Sequence, residues 1–225
     1  MSARILLRKT SLVDYPGRVS SVLFFSGCNL RCPWCHNREL VLGETEDIAE
    51  NLVGADEALA HIRKRSTVLG GVVLSGGEPC LWDGLPELIM EIKQIKTPDG
   101  PLGLKLDTNG MFPDMLEKLL SRREYSPDYI AMDLKLAPGR YSELLPPSPA
   151  GSPAATPFDP AAALAQSAAL LRQSGVAHEF RSLNLPGGFF GEEDIAALRP
   201  LAADSPWHFR DFAGGNCIDP GWNNR

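Results

Sequence analysis

The chain has no apolar run long enough to cross a bilayer. Runs such as VLFF and GVVL are far shorter than the roughly 20 residues that a spanning helix needs. Basic residues are scattered, 22 Lys and Arg against 28 Asp and Glu, for a net charge of −6. With no basic stripe and no Lys/Arg cluster, neither a nucleic-acid surface nor an anionic-membrane anchor is expected. The N-terminus, MSARILLRKTS, lacks the apolar core and small-residue cleavage site of a signal peptide. Cysteine is scarce: five in all, an odd count, with three in one cluster. That excludes a disulfide scaffold and points to a reducing, cytoplasmic setting. No internal sequence repeat is present. A chain of 225 residues, 44% hydrophobic, can bury one good core, so one domain over 1–225 is expected.

What is there is concentrated in the run SGCNLRCPWCHN. Cys28, Cys32 and Cys35 are spaced C-x3-C-x2-C, with Trp34 just before the last. Three thiolates on one short loop can hold three corners of a cubic iron–sulfur cluster, leaving the fourth iron without a protein ligand. An open coordination position can activate a substrate, whereas a fully ligated metal mostly stores electrons or holds structure. A structural zinc site is the alternative, with His36 as fourth ligand. Adjacent Cys–His pairs chelate one zinc poorly, and no second cysteine knuckle exists, since Cys80 and Cys217 are single and far apart.

Short β-rich runs alternate with amphipathic helical stretches. Strands are expected over 18–26, 71–74, 102–107, 128–133, 177–183 and 207–212, and helices over 55–68, 85–95, 113–121, 158–173 and 192–202. Such alternation predicts an α/β fold, a parallel sheet with helices outside it. Polar and glycine motifs follow the ends of four strands: SGC, SGGEP, DTNG and DLK. In parallel α/β folds sites gather on the loops at the C-terminal edge, so these motifs converge on one rim. The segment 145–157, LPPSPAGSPAATP, has five prolines and no charge. It reads as an insertion of no regular structure.

Within the rim motifs, Gly76 and Gly77 let backbone approach a ligand closely, and exposed carbonyls with the Glu78 carboxylate suit an ammonium donor. A plain turn is the other reading. Strand alternation puts Asp133 and Lys135 on one face. Asp107 and Asp133 could instead serve as caps or turn formers, and Lys135 as a surface ion-pair partner. Arg181, in HEFRSLN, offers a fork that pairs with carboxylates, a ligand's or the sheet's own. VDYPG, with Asp14, is also a plausible turn through Pro16-Gly17.

The segment VDYPGRVSSVLFFSGCNLRCPWCHN resembles the radical S-adenosylmethionine (SAM) enzymes. Within them it is similar to the activases of glycyl-radical enzymes, most of all those serving anaerobic ribonucleoside-triphosphate reductase. The resemblance runs from about residue 12 to about residue 220. It implies a partial (βα)6 TIM-like barrel, and a 4Fe–4S cluster on Cys28, Cys32 and Cys35 whose open iron is chelated by SAM. One electron then cleaves the sulfonium bond, and the resulting radical removes a hydrogen from a glycine of the partner. By the same resemblance, Trp34 helps seat the adenine, and the loop of Gly76, Gly77 and Glu78 contacts the α-amino group. Lys135 and Arg181 face the methionine carboxylate. Asp107, Thr108 and Asp133, with the Ala131 carbonyl, line a monovalent-cation site. Asp14 stands near the mouth where the target peptide enters, and His36 and Asn37 order the cluster loop. The implied partners are an anaerobic ribonucleotide reductase and, as electron donor, reduced flavodoxin or ferredoxin. The sequence departs from the usual RTT after Arg181, reading Arg181-Ser182-Leu183. The rival readings are a radical SAM enzyme acting on a small metabolite, such as a deazapurine precursor, and a non-catalytic iron–sulfur electron carrier.

Overall fold

The computed structural model describes residues 3–43, 46–98, 100–147 and 158–225. In chain order the elements begin with β1 (Ile5–Ser11), β2 (Ser20–Phe25), α1 (Arg38–Leu42), α2 (Glu46–Asn51) and β3 (Leu52–Val53). Next come α3 (Ala55–Lys64), β4 (Gly71–Gly76), α4 (Leu85–Lys93), a small ribbon of β5 (Lys96–Thr97) and β6 (Gly100–Pro101), and β7 (Gly103–Thr108). The chain continues through α5 (Pro113–Leu120), β8 (Tyr129–Asp133), α6 (Pro160–Ser174), β9 (Ala177–Asn184), α7 (Glu192–Ala202) and β10 (Trp207–Asp211).

The main sheet has the order β10-β9-β8-β7-β4-β2-β1-β3. The six strands from β2 to β10 run parallel, each beside the next in sequence, as the βα alternation requires. This is the open, partial barrel of six parallel strands. Besides the ribbon of β5 and β6, two strands of the main sheet escaped the sequence reading. β1 pairs antiparallel with both β2 and β3. Its mixed burial, with Arg8, Lys9 and Thr10 exposed, blurs the period-2 signal. β3 is two residues long and carries no pattern at all.

Helix ends follow local chemistry. α6 starts at Pro160 because the Asp159 carboxylate accepts from the amides of Ala161 and Ala162, with proline in the first turn. It ends where Gly175 takes a left-handed φ of 72°.

Alternation along the parallel strands sorts two faces. Leu23, Leu74, Leu104, Leu106 and Phe180 face the helices and are fully buried in the main core. At roughly 1.5–3 kcal/mol per buried side chain, this layer carries the fold. Among the described residues the opposite face holds a small apolar cluster, Tyr15, Val22 and Val73, with Phe24 packed against it. The rest of that face is free to be charged, and it is.

Candidate active site

The cysteine loop leaves the C-terminal end of β2, the glycine loop follows β4, Asp107 and Asp133 sit at the C-terminal ends of β7 and β8, and Arg181 sits in the C-terminal half of β9. Together they line one cleft, in which Cys28, Cys32 and Cys35 face Gly76, Gly77 and Lys135.

The two loops are interlocked through their backbones. The Gly77 amide donates to the Phe25 carbonyl at 2.8 Å, and the Glu78 amide to the Gly27 carbonyl at 2.9 Å. A Cβ on Gly77 would lie 1.9 Å from the Gly27 oxygen, and Gly76 has a φ of +121°. Both positions therefore require glycine. The Asn37 side-chain amide donates to the Gly76 carbonyl at 2.8 Å, tying the residue after His36 to the glycine loop. The His36 ring packs instead against Phe212, centroids 5.5 Å apart.

Glu78 differs from its expected role. Its carboxylate is turned inwards and 1% exposed. It accepts from the Cys80 amide at 3.0 Å, the Thr108 hydroxyl at 2.8 Å and the Asn109 amide at 2.7 Å. Burial pushes its pKa up, and these donors pull it back. Three donors converging on two oxygens make Glu78 the strut joining the loops of β4 and β7. What the glycine loop turns to the cleft is backbone.

Two asparagines not singled out from sequence complete the loop. Asn109 donates through its side-chain amide to Asn29 Oδ1 at 2.8 Å and toward Cys28 Sγ at 3.7 Å. The Leu30 amide also points at Cys28 Sγ, at 3.4 Å. Burial raises the thiol pKa values, to about 11 at Cys28 and about 12 at Cys32, and raises Cys35 as well; Lys135 pulls all three down. Buried thiols become ligands when a metal supplies the positive charge they lack. Among the described residues, no three His, Cys, Asp or Glu side chains are close enough together to hold a single metal ion. The donor set, three thiols with amides aimed at sulfur and a cation nearby, fits a polynuclear cluster better than one zinc.

Beside the thiols lies a chain of charges. Lys105 Nζ is 2.5 Å from Asp107, whose carboxylate also meets Arg181 at 3.3 Å. Arg181 holds Asp133 at 2.9 Å, and Lys135 Nζ reaches the other Asp133 oxygen at 3.0 Å. Burial alone would raise the Asp133 carboxyl; Arg181 and then Lys135 outweigh it and hold it at about 2. Lys105, only 3% exposed, was not anticipated.

The residues expected at the monovalent-cation site, Asp107, Thr108 and Asp133, all line this cleft. Asp107 and Asp133 are already engaged by three cationic side chains. The Thr108 hydroxyl is on the opposite face of β7, donating to Glu78, because neighbouring strand residues point to opposite sides.

Trp34 is 5% exposed and packs edge-on to Phe189, centroids 5.5 Å apart, and against Trp222 at 5.5 Å. It also borders a second cavity that shares Asp133, Lys135 and Arg181 with the cysteine cleft and extends to Leu134, Leu183 and Arg210. The chain after β10 clasps the cysteine loop. The Ile218 amide donates to the Cys35 carbonyl at 3.2 Å and the Asp219 amide to the Pro33 carbonyl at 2.9 Å. Cys217, fully buried, donates its thiol to the Trp34 carbonyl. Trp222→Ala should forfeit about 3 kcal/mol of packing here, making local opening roughly 100-fold more frequent. The checkable outcome is faster stripping of reconstituted iron by a chelator, followed by absorbance. An unchanged rate would separate the clasp from the loop.

Asp14 is not on this rim. It lies in the turn between β1 and β2, where it accepts from the Ser11 hydroxyl and pairs with Arg8 at 3.5 Å. β2, six residues long, separates that turn from the cysteine loop by about 20 Å. Asp14, expected near the mouth where the target peptide enters, therefore stands away from the cysteine loop. Cys80 and Cys217 are free thiols, as expected. Most of the proline-rich segment 145–157 lies outside the described residues. No helix among the described residues is long and apolar enough to cross a membrane.

An open parallel sheet with three thiols, a backbone-lined glycine loop and an ion-paired lysine on its C-terminal rim defines a cofactor-dependent α/β protein. A sequence profile described as the radical SAM superfamily matches residues 22–149, more than half of the chain, and the chain belongs to that superfamily. The family implies a 4Fe–4S cluster and SAM. Over 135 residues the chain is 31% identical to a protein of Methanocaldococcus jannaschii named as a glycyl-radical enzyme activating enzyme, covering 60% of this chain and 51% of that one. It is 33% identical over 131 residues to the pyruvate formate-lyase-activating enzyme of Clostridium pasteurianum, covering 57% and 50%. It is 32% identical over 120 residues to the 7-carboxy-7-deazaguanine synthase of Clostridium acetobutylicum, covering 53% and 48%. The chain thus spans about half the length of the curated relatives it matches. QueE from Escherichia coli shares the fold with a TM-score of 0.52 at 17% identity, over 94% of this chain and 84% of that one. A radical SAM methyltransferase from Sphaerobacter thermophilus does so with a TM-score of 0.58 at 16% identity, over 88% and 56%.

Proposed function

We propose that this protein is a radical SAM activase that generates a glycyl radical on a partner enzyme, an anaerobic ribonucleoside-triphosphate reductase, with reduced flavodoxin or ferredoxin as electron donor. The observation that carries the reading is the single cleft in which three cysteine thiols face a backbone-lined glycine loop and Lys135. Bound there, a reduced cluster and SAM would supply one-electron cleavage of the sulfonium bond and hydrogen-atom abstraction. Cys28, Cys32 and Cys35 would hold the cluster, with the Leu30 and Asn109 donors supporting the Cys28 sulfur. Lys135 spends one of its three donors on Asp133, which leaves the others for the methionine carboxylate. The carbonyls of the glycine loop suit the ammonium. Trp34, Leu134 and Leu183 give the adjoining cavity an apolar lining that keeps water from the adenosine.

The network separates two residues that sequence treated alike. Lys135→Ala should weaken SAM binding by about 1.5–3 kcal/mol, as for a lost charge-assisted hydrogen bond. Arg181 is committed to two carboxylates and is a positioning residue. Arg181→Ala should show chiefly as lost stability, about 2–3 kcal/mol at this partly buried pair. Calorimetric titration with SAM beside thermal unfolding checks both; unchanged SAM affinity in Lys135→Ala would remove that residue from the site.

The deazaguanine synthase relative supports a second reading, chemistry on a small metabolite. Anaerobic reconstitution with the candidate reductase, followed by electron paramagnetic resonance, decides between them. A glycyl radical on the partner supports the activase. No radical there, with turnover of a small purine precursor, supports the rival.

A further inference from the structure

The charged network pairs its cations internally. Lys105, Arg181 and Lys135 stand against Asp107 and Asp133, and Glu179, on the same face of β9, also acts on Arg181. A further cation stands in the same cavity outside that network. Arg210 lines it together with Trp34, Lys135 and Arg181, and it makes no ion pair among the described residues, whereas its neighbour Asp211 accepts from the Asn184 side chain at 2.8 Å.

Register explains how it reaches the cavity. β10 pairs in parallel with β9, placing His208 beside Arg181 and Arg210 beside Leu183. Arg210 is therefore on the charged face, one pleat nearer the rim than Arg181. β10 is also the edge of the sheet, with no strand beyond it among the described residues. Arg210 thus stands at the lateral opening, where a second reactant would meet the cavity. A guanidinium with no internal partner there suits a carboxylate, which it can grip through two donors at once.

We propose that Arg210 recognises a carboxylate of the second reactant, borne by an acidic side chain close to the target glycine on the incoming peptide loop. This rests on the activase reading of the site.

The test measures binding without chemistry. Protein holding cluster and SAM, kept oxidised, is titrated with fluorescent peptides of alanine around one glycine. Each carries a single Asp, placed one, two or three residues to either side, and each has an Asn twin. The best Asp peptide should bind about 10-fold tighter than its twin, the scale of one charge-assisted contact. Arg210→Gln should close that gap to within about twofold, and Arg210→Glu should shift the preference to the Lys version of the same peptide. If no Asp peptide outbinds its twin, or the gap persists in Arg210→Gln, the assignment is overturned. N-acetylaspartate supplies the same carboxylate without a peptide. If it competes as well as the best peptide, and loses that ability in Arg210→Gln, the anion site serves a small acid and the peptide assignment falls. Because no reduction is involved, a failure of radical chemistry in the unsubstituted protein would count against the activase reading and not against this one.

Discussion

Replacing Cys28, Cys32 or Cys35 singly with alanine is expected to abolish stable cluster binding after anaerobic reconstitution. The unsubstituted protein should take up about four irons on its three thiolates. All three side chains line one cleft. A cubic cluster that already lacks a fourth protein ligand does not tolerate the loss of another. Cys80 is the informative control. It is buried, but its thiol meets the Thr108 hydroxyl at 3.6 Å behind the glycine loop. Cys80→Ala should keep its iron and the associated visible absorbance. Equal loss of iron in Cys80→Ala would mean that the ligand set is wrong.

Gly77→Ala is expected to be the most damaging change that leaves all ligands in place. The added carbon would sit 1.9 Å from the Gly27 oxygen and 3.3 Å from Cys28 Cβ. The obstacle is backbone, so no rotamer change relieves it. The glycine loop must move off the cysteine loop, which also sacrifices the hydrogen bond from the Glu78 amide to Gly27. Overpacking of this kind costs about 1–3 kcal/mol, and the lost hydrogen bond adds about 1 kcal/mol. The protein should therefore fold less stably, by about 2–4 kcal/mol in chemical denaturation, and bind SAM poorly even where iron is retained. A variant with unchanged stability and unchanged SAM affinity would show that the two loops are not interlocked in solution.

The rim was legible because its chemistry has few substitutes. Cysteines at fixed spacing and paired glycines after a strand restrict what can follow them, and the βα alternation places them on one edge. The charged inner face was hidden for a specific reason. In GLKLDT, Lys105 alternates with leucines as a solvated lysine would, and only the curvature of the sheet turns that face inwards. The Thr108 hydroxyl turns to Glu78 and away from Asp107, because strand geometry points adjacent residues to opposite sides. The distance of Asp14 from the cysteines was hidden because the residues between them form a strand running along the sheet. The clasp leaves almost no signal because Ile218 and Asp219 engage the cysteine loop through backbone amides, which every sequence possesses. Only Trp222, packed on Trp34, Phe189 and Phe212, marks it.

The most direct test of the central claim is reductive SAM cleavage. Protein with a full cluster is reduced with dithionite in the presence of SAM, and the products are separated by chromatography. The cleft predicts 5′-deoxyadenosine and methionine in equal amounts, with neither formed by Cys32→Ala. A fully loaded, reduced protein that binds SAM but leaves it intact would contradict the account.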